Sequence, residues 1–485
     1  MLVATDRWAY LVVVARAAPR IRVPRTASGS PGGDGCTRAE SQVGDAGAVD
    51  RHRLQPERQL VHPVRGRHRH GHALGATRLC HGKRGGRRRP LRRGRAHIAE
   101  AVRGLKVAHD AAEVADVLIV GAGPAGSATA LGLLAAGVEQ VLLVDRGSAR
   151  PFAIGESATP DVAQMLGRLG LETDLGRLGH RPYHGNLSLW GDAKPQADYF
   201  LQRGHGHGWH LQRAEFDAWL LQQAVDRGAR LMCPTSVKWC TRSEGVWQAN
   251  LASTDGKQKR VQARMLVDAG GRRAPLATRL GAQRRRLDGL VGLATRATAT
   301  PALAGMSLVE PFEHGWWYAA CLPDGQAVVT LMSDIDVVRS QCLQDWHNYL
   351  SAWRTTAKVA ELAPPCPPQE QDGQTLQPNI QTFAAHSSYL DRAAGQGWIA
   401  VGDALLAFDP LTSSGISGAL SDAEAAVPAI VGQLAGDSIA SRHYAERANR
   451  TFIRYIEGLH RQYGAEQRWP NSVFWSRRHA GPVGV

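Results

Sequence analysis

The sequence predicts an α/β fold: a domain with a parallel sheet, an inserted and mostly antiparallel domain, and C-terminal helices. Three observations support it. Residues 115–144 follow the pattern of a buried strand, a glycine-rich turn, a helix of small residues and a second strand, which is a βαβ unit. Residues 287–333 alternate apolar and polar side chains around a turn at 323–325, as antiparallel strands do. A further strand and helix at 397–414 resume the first pattern, so the antiparallel part is an insertion.

Other patterns complete this outline. Amphipathic helices are predicted at 161–169 and 214–227, and a strand at 261–267. Together they divide the chain into four parts. The predicted boundaries are a basic low-complexity tail at 1–112, a discontinuous dinucleotide-binding domain at 113–284 and 385–436, a substrate domain with an antiparallel sheet at 285–384, and a C-terminal helical extension at 437–485.

The net charge of +15 is confined to the N-terminal tail. Residues 1–112 contain 23 Lys and Arg against 8 Asp and Glu, so the remainder of the chain is electrically balanced. An argument from high pI to nucleic-acid binding therefore applies to the tail and not to the rest of the chain. The tail lacks a sustained apolar period, and we interpret it as disordered. A dispensable extension or an upstream start codon explains it better than an RNA-binding or membrane-surface function does.

The composition also indicates a compartment. No run of about 18 apolar residues is present, and the seven cysteines are scattered without a CxxC pair. These features predict a cytoplasmic protein with no membrane span, no disulfide framework and no metal site.

A glycine loop, Gly121-Ala122-Gly123-Pro124-Ala125-Gly126, follows the first predicted strand. Its glycines permit a tight turn, a close approach of the backbone to a pyrophosphate, and close packing of the helix on the strand. The helix N-terminus offers free N–H groups and a positive dipole end to phosphates. An acid 19 residues after the last glycine is placed to accept hydrogen bonds from ribose hydroxyls. The predicted dinucleotide-binding residues here are Gly121, Gly123, Pro124, Ala125, Gly126, Asp145 and Arg146.

Four later segments carry a resemblance to a known family. They are Gly155-Glu156-Ser157 with Pro160, Gly208 to Arg213, Asp268-Ala269-Gly270-Gly271, and Gly402-Asp403 with Asp409-Pro410 and Ser414-Gly415-Ile416. In this order they resemble the FAD-dependent monooxygenases of the p-hydroxybenzoate hydroxylase fold. Within that fold the sequence is most similar to the branch of the tryptophan halogenases and of the flavoenzymes that mature quinone cofactors. The resemblance covers about residues 115–434.

The resemblance implies that FAD is the cofactor and that the Rossmann-like domain binds it. A second glycine fingerprint for a separate nicotinamide domain is missing from the sequence. A carboxylate at Asp403, beside a predicted helix N-terminus, has the chemistry to bind ribityl hydroxyls. The later segments thus add a second set of predicted cofactor-binding residues: Glu156, Ser157, Arg213, Asp268, Gly270, Asp403, Pro410, Ser414, Gly415 and Ile416.

Two departures from the halogenase pattern argue against halogenation. The position of the halogenase lysine falls on His184, and the W-x-W-x-I-P element is replaced by Trp316-Trp317-Tyr318-Ala319-Ala320-Cys321. The resemblance then implies a monooxygenase that hydroxylates an aromatic substrate through a C4a-hydroperoxyflavin. His184 is a candidate acid or base because histidine as a residue type can exchange protons near neutral pH, although an ordinary surface histidine is an open alternative. The predicted catalytic residues are His184, Trp316 and Tyr318.

The implied substrate is aromatic. Trp190, Trp209, Trp316, Trp317 and Tyr318 are predicted to form an apolar wall, with ordinary core packing as the alternative. The resemblance to enzymes that mature quinone cofactors, such as the tryptophan hydroxylase of quinohemoprotein amine dehydrogenase, points to a small aromatic molecule or to a peptidyl tryptophan or tyrosine of a partner protein. NAD(P)H or a separate flavin reductase would supply electrons. Competing hypotheses are a halogenase with a diverged site, a reductase of isoprenoid double bonds, and a non-catalytic maturation module containing FAD.

Overall fold

The computed structural model describes residues 113–147, 155–367, 369–371, 374–376 and 378–481. The predicted tail at 1–112 lies outside these described residues. Across the described ranges, none of the helices has the length and apolar character that crossing a bilayer requires. Nor do the described residues gather three or more His, Cys, Asp or Glu side chains that could hold a metal ion.

The described chain forms 23 strands. In chain order they are β1 (Glu113–Val120), β2 (Val141–Val144), β3 (Ser157–Ala158), β4 (Arg181–Tyr183), β5 (Gly185–Ser188), β6 (Gln196–Tyr199), β7 (Gly208–His210), β8 (Arg230–Met232), β9 (Thr235–Ser243), β10 (Val246–Ser253), β11 (Gln258–Asp268), β12 (Arg284–Arg286), β13 (Leu290–Thr298), β14 (Met306–Phe312), β15 (Gly315–Cys321), β16 (Gln326–Asp334), β17 (Gln369–Gln371), β18 (Gln374–Leu376), β19 (Gln381–Ala384), β20 (Ser388–Leu390), β21 (Ala394–Gly395), β22 (Trp398–Ala400) and β23 (Leu406–Ala407).

Ten α-helices accompany these strands in the described ranges. They are α1 (Pro124–Ala135), α2 (Asp161–Arg168), α3 (Arg213–Asp226), α4 (Pro275–Arg279), α5 (Ile335–Ser340), α6 (Trp346–Arg354), α7 (Val359–Leu362), α8 (Gly415–Leu434), α9 (Ile439–Gly464) and α10 (Val473–His479). Proline at the first position of α1 suits a helix start, since its missing N–H would have no partner there.

A parallel sheet organises the first part of the fold. Its parallel strands lie in the order β22-β11-β1-β2-β8. β21 adds an antiparallel edge, and the β9–β10 hairpin pairs with the start of β11. The central residues Val117, Leu118 and Ile119 are all completely buried, which explains the continuous apolar run of β1. The predicted α/β class with a parallel sheet is confirmed.

A second, seven-stranded sheet has the order β19-β13-β16-β15-β14-β5-β6. Its pairs are antiparallel except β5 with β14, which run parallel. Strands β13 to β16 and β19 lie within the predicted insertion at 285–384. Strands β5 and β6, however, come from residues 185–199, which the predicted boundaries place in the dinucleotide-binding part. These four-residue strands are too short to leave a clear sequence signal.

Strand alternation divides the aromatic residues of β15 between two cores. Trp317 points to one face, where its ring centroid lies 5.1 Å from that of Tyr349 and 6.2 Å from that of Trp353. Trp316 and Tyr318 point to the opposite face, as the period of two requires. That opposite face also contacts the C-terminal helices, whose Phe474 and Trp475 are fully buried. The C-terminal extension is therefore part of the core.

Replacing Trp317 with alanine is expected to lower the free energy of unfolding by about 3–5 kcal/mol, because a fully buried indole leaves a cavity. Urea unfolding measures the change. The matched control is Trp239→Ala on β9, whose side chain is 43% exposed and whose loss should cost less than about 0.5 kcal/mol. Equal losses for the two variants would contradict the assignment of Trp317 to a core.

Candidate functional site

The predicted cofactor motifs meet at one edge of the parallel sheet. Val120, the last residue of β1, pairs with Val144 and with Asp268, and Asp268 in turn pairs with Ala400. The carboxyl ends of four parallel strands are thus level, and a predicted motif follows each of them. Ligands of open α/β sheets bind at this carboxyl edge. The segments that follow these strands are the glycine loop at 121–126, Asp145-Arg146, Ala269-Gly270-Gly271 and Gly402-Asp403.

Two glycines of the first loop are required for packing, and the third leaves open space. Gly121 has φ +108°, and a Cβ there would lie 2.3 Å from the carbonyl oxygen of Ala269. A Cβ on Gly126 would lie 1.9 Å from the carbonyl oxygen of Gly121. A Cβ on Gly123 would meet no protein atom within 4 Å. The loop therefore has a clear face at Gly123, immediately before the N-terminus of α1.

A second helix N-terminus lies near the first. Gly402 fits between the two helices, because a Cβ on it would lie 2.7 Å from Ala125 of α1 and 3.7 Å from Ala419 of α8. Gly415, the first residue of α8, is exposed and has open space around its Cβ position. Ile416 points into the core instead, so it can offer a ligand only its backbone. Two positive helix ends with unobstructed glycines suit an anion such as the pyrophosphate of a dinucleotide.

The acidic residues of the motifs have different environments. Asp145 accepts hydrogen bonds from the N–H groups of Ala122 (2.9 Å) and Gly147 (2.8 Å), which ties the glycine loop to the end of β2. Its neighbour Arg146 is exposed. Asp403 is partly exposed, and its Oδ2 lies 3.4 Å from the Nε of Arg272. The sequence interpretation missed this arginine, although it directly follows the glycine turn after β11.

Asp268, by contrast, is completely buried. Its carboxylate accepts hydrogen bonds from the N–H groups of Gly270 (2.9 Å), Leu276 (2.8 Å) and Ala277 (2.7 Å). It therefore shapes the turn after β11 and the start of α4, and it has no surface to offer a cofactor. Burial raises the pKa of this carboxyl, and the three N–H donors counteract the rise.

Glu156 is a buried carboxylate with an unused oxygen. Its Oε2 accepts a hydrogen bond from the N–H of Gly155 (3.1 Å), whereas Oε1 has no hydrogen-bond partner. Arg213 donates to the carbonyl of Gly155 (3.0 Å) and forms an ion pair with Asp217 (3.2 Å). Burial raises the pKa of the Glu156 carboxyl, and the charge of Arg213 opposes the rise. A buried acceptor without a partner commonly marks a ligand site, which fits a bound cofactor at this position.

A polar chain runs from Ser157 into the interior. The Ser157 hydroxyl lies 2.6 Å from the Tyr318 hydroxyl and 3.3 Å from that of Ser307. Ser307 Oγ lies 3.1 Å from Nε2 of His210, whose Nδ1 is 2.9 Å from the carbonyl oxygen of Cys321. The chain joins the small sheet containing β3 and β7 to the seven-stranded sheet. The sequence interpretation missed His210, although a histidine in the apolar segment Gly208–Leu211 was a usable signal.

The predicted aromatic wall is smaller than expected. Trp190, Trp316 and Tyr318 pack on one cluster with Leu411, which follows Asp409-Pro410. Trp317 belongs to the core on the opposite face of β15, and Trp209 to the core of the parallel sheet. The five-residue wall is therefore wrong for these two tryptophans. Trp317 points away from Trp316 and Tyr318 because adjacent residues of a strand point to opposite faces, and Trp209 lies on a different strand, β7, whose side of the fold packs on the parallel sheet.

Asp409 connects this cluster to the C-terminal helix α9. Tyr463 donates a hydrogen bond to Asp409 Oδ2 (2.7 Å) and accepts one from Trp316 Nε1 (3.0 Å). The N–H of Leu411 donates to Asp409 Oδ1 (2.9 Å), and the N–H of Asp409 itself donates to the Tyr455 hydroxyl (2.9 Å). Burial raises the pKa of Asp409 to about 6. The position of the predicted flavin loop thus depends on residues beyond 436.

His184 has a different environment from the other predicted catalytic residues. Its side chain is exposed, and its ring lies 6.0 Å from that of His207. The neighbouring Tyr183 is the side chain that turns inward, where it stacks on His210 with ring centroids 4.3 Å apart. A catalytic role for His184 stays a prediction, and its exposure does not favour it.

Replacing Asp409 with asparagine should alter the pH dependence of stability. The unfolded carboxyl loses its proton near pH 4, but the folded one keeps it to about pH 6, so wild-type stability falls as pH rises through this window. The difference in unfolding free energy between wild type and Asp409→Asn should change by about 1.4 kcal/mol per pH unit there.

Thermal unfolding of both proteins between pH 4 and 7 measures this difference, since other groups cancel when the two are subtracted. Asp336→Asn is the control. Hydrogen bonds from Arg477 lower the pKa of Asp336 to about 2, so the stability that this carboxylate contributes is lost only as pH falls below about 4, and the difference between Asp336→Asn and wild type should stay flat between pH 4 and 7. A flat difference for Asp409→Asn would refute the raised pKa.

Comparisons with known proteins support FAD as the cofactor. The family described as "FAD binding domain" matches residues 114–453. The putative FAD-dependent oxidoreductase LodB of Marinomonas mediterranea is 33% identical over 370 residues, which covers 75% of this chain and 97% of that protein.

Two solved structures are similar. The myxobacterial chondrochloren halogenase CndH has a TM-score of 0.65 and 25% identity, with 76% of this chain and 86% of that one covered. The peptidyl tryptophan dihydroxylase QhpG, essential for tryptophylquinone cofactor biogenesis, has a TM-score of 0.60 and 29% identity, with 76% and 79% covered. The chain therefore belongs to the FAD binding domain family, and it is an FAD-dependent oxidoreductase of the halogenase-like branch of the p-hydroxybenzoate hydroxylase fold.

Proposed function

We propose that this flavoenzyme is a monooxygenase that hydroxylates an aromatic ring, and that its substrate is a tryptophan side chain of a partner protein. The observation that carries the proposal is the cluster of Trp190, Trp316 and Tyr318, which packs on Leu411 beside the predicted flavin loop. Flat apolar side chains next to a flavin suit an aromatic ring. The 29% identity to a peptidyl tryptophan dihydroxylase supports the choice of tryptophan.

The argument against halogenation comes from the position at which the halogenases have their lysine. In this chain that position is His184, which is exposed, and the neighbouring Tyr183 is the side chain that turns inward. An imidazole lacks the primary amine with which the lysine carries active halogen in the halogenases. The similarity to CndH keeps halogenation as the outcome that would overturn the proposal.

The FAD site follows from the open glycines and helix ends. In this proposal Gly123 and Gly415 offer backbone N–H groups and a clear approach to the pyrophosphate, and Pro124, which has no N–H, begins the helix at that point. The carboxylate of Asp145, beside the glycine loop, would accept hydrogen bonds from the hydroxyls of the adenosine ribose, and Glu156 keeps an unused oxygen for the cofactor. Asp268 stabilises the turn after β11 through hydrogen bonds from its backbone N–H groups, and in this proposal it makes no direct contact with FAD.

The chemistry divides between cofactor and protein. Reduced FAD supplies the activation of dioxygen when it is bound. One oxygen atom enters an aromatic C–H bond and the other leaves as water, with two electrons from NAD(P)H or from a separate reductase. The protein's part is to hold the ring beside the aromatic cluster at the partly exposed Tyr318, to exclude water with the buried Trp190 and Trp316, and to supply hydrogen-bonding groups from the chain that begins at Tyr318 and Ser157.

Gly123→Ala should weaken FAD binding at least tenfold and leave the stability of the FAD-free protein unchanged. The reason is that the added methyl meets no protein atom but occupies the face that the pyrophosphate needs. Fluorescence titration with FAD measures the affinity. Gly464→Ala, which also meets no neighbouring atom, is the control and should bind FAD normally. Normal affinity in Gly123→Ala would refute the placement.

The reaction is tested with the FAD-loaded chain, a flavin reductase with NADH, isotopically labelled dioxygen and a synthetic peptide that contains one tryptophan. Chloride and bromide are present in a parallel arm. Mass spectrometry should find labelled oxygen on the tryptophan and no halogen. Halogenated peptide, or hydroxylation with oxygen from water, would contradict the proposal, and the FAD-deficient Gly123→Ala variant controls for free flavin chemistry.

A further inference from the structure

We infer that Tyr318 accepts a hydrogen bond from the ring N–H of an indole substrate, and that His210 is the positioning residue that holds Tyr318 in this acceptor role. The inference rests on the proposed function, because it specifies how that site recognises its aromatic ring. It follows from the direction of the hydrogen bonds that link Tyr318 to His210.

The tautomer of His210 is fixed by its partners. Its Nδ1 lies 2.9 Å from the carbonyl oxygen of Cys321, which can only accept, so Nδ1 carries a hydrogen. The ring is completely buried, and burial lowers the pKa of His210 to about 3, with the charge of Arg181 acting in the same direction. At neutral pH the ring therefore carries one hydrogen. Nε2 is left as an acceptor, and the hydroxyl of Ser307 donates to it across 3.1 Å.

This donation sets the direction of every later bond. Ser307 has used its hydrogen, so in its contact with Ser157 it must accept, and Ser157 must donate. Ser157 has then used its own hydrogen, so the 2.6 Å bond to Tyr318 is donated by the tyrosine. Burial also raises the pKa of Tyr318, which keeps the phenol protonated. The chain is thus polarised from Tyr318 towards His210.

The surroundings of Tyr318 complete the argument. Its hydrogen points to Ser157, so the lone pairs of its oxygen are what it can present to a ligand. The neighbouring indoles have no free donors, because Trp316 donates to Tyr463 (3.0 Å) and Trp190 to the carbonyl of Gln462 (2.7 Å). Tyr318 itself is partly exposed and packs on this aromatic cluster. Such a site favours an aromatic ring that brings its own donor.

Two bicyclic probes of similar size test this inference. Indole carries a ring N–H, and 1-benzothiophene has sulfur in its place. We expect the FAD-loaded wild-type chain to bind indole. The selectivity, which is the dissociation constant for 1-benzothiophene divided by that for indole, should be about three- to tenfold higher in wild type than in Tyr318→Phe. Perturbation of the flavin absorbance reports binding. Tyr349→Phe removes a buried hydroxyl that bonds Leu293 in the other core and should keep the wild-type ratio.

Variants of the chain separate positioning from structure. His210→Phe retains a flat ring to stack on Tyr183 but leaves the Ser307 hydroxyl free to donate to Ser157, which reverses the chain. It should lose the preference for indole although Tyr318 is intact, and Ser307→Ala should lose it without altering the histidine. A merely structural role would weaken both probes alike and leave their ratio unchanged.

The outcomes distinguish the inference from the proposed function. The inference is overturned by any of three results: a wild-type ratio equal to that of Tyr318→Phe, an unchanged ratio in both His210→Phe and Ser307→Ala, or no measurable binding of indole. Each of them does so even if oxygen enters a tryptophan peptide. The expected ratios without oxygen insertion overturn the proposed hydroxylation and leave the recognition of an indole N–H standing.

Discussion

The structure depends on close backbone contact at the carboxyl edge of the parallel sheet. Gly121, Gly126 and Gly402 each occupy a place where a side chain would collide with a neighbouring segment. Because these three positions lack a Cβ, the turns after β1, β11 and β22 can meet, and the N-termini of α1 and α8 lie together. This contact creates a positive, unobstructed surface suited to a dinucleotide.

Buried polar groups extend the site from this edge into the second sheet. Ser157 follows the segment that Arg213 anchors, and its hydroxyl reaches Tyr318 on β15. At the inner end of this hydrogen-bond chain, His210 fixes the direction of the bonds, because a buried neutral imidazole has one donor and one acceptor. On the other side, Tyr463 from α9 holds Trp316 and Asp409 together. The candidate site is therefore shared by the parallel sheet, the inserted sheet and the C-terminal helices.

Much of the fold could be predicted from local pattern. The predicted helices at 124–136, 161–169 and 214–227 appear as α1, α2 and α3 within a residue at each end. Their apolar period and flanking glycines are local signals. The strands at 185–199 were missed because they are short and because β5 pairs with β14, more than 100 residues away, while β6 pairs with β5. The placement of α9 was missed as well, since its buried tyrosines form a stripe whose partners are known only after folding.

The same distinction applies to the site. The sequence by itself determined the cofactor and the glycine positions. A pyrophosphate binds close to the backbone at a helix start, where only glycine leaves room, so the residue types and their spacing are visible in the sequence. Only the tertiary structure decided that Trp317 leaves the aromatic wall, that Asp268 supports a turn, and that His210 lies inside while His184 lies at the surface. The physical reason is that side-chain direction, burial and hydrogen-bond partners depend on which strands pair across the fold, and no local pattern contains that information.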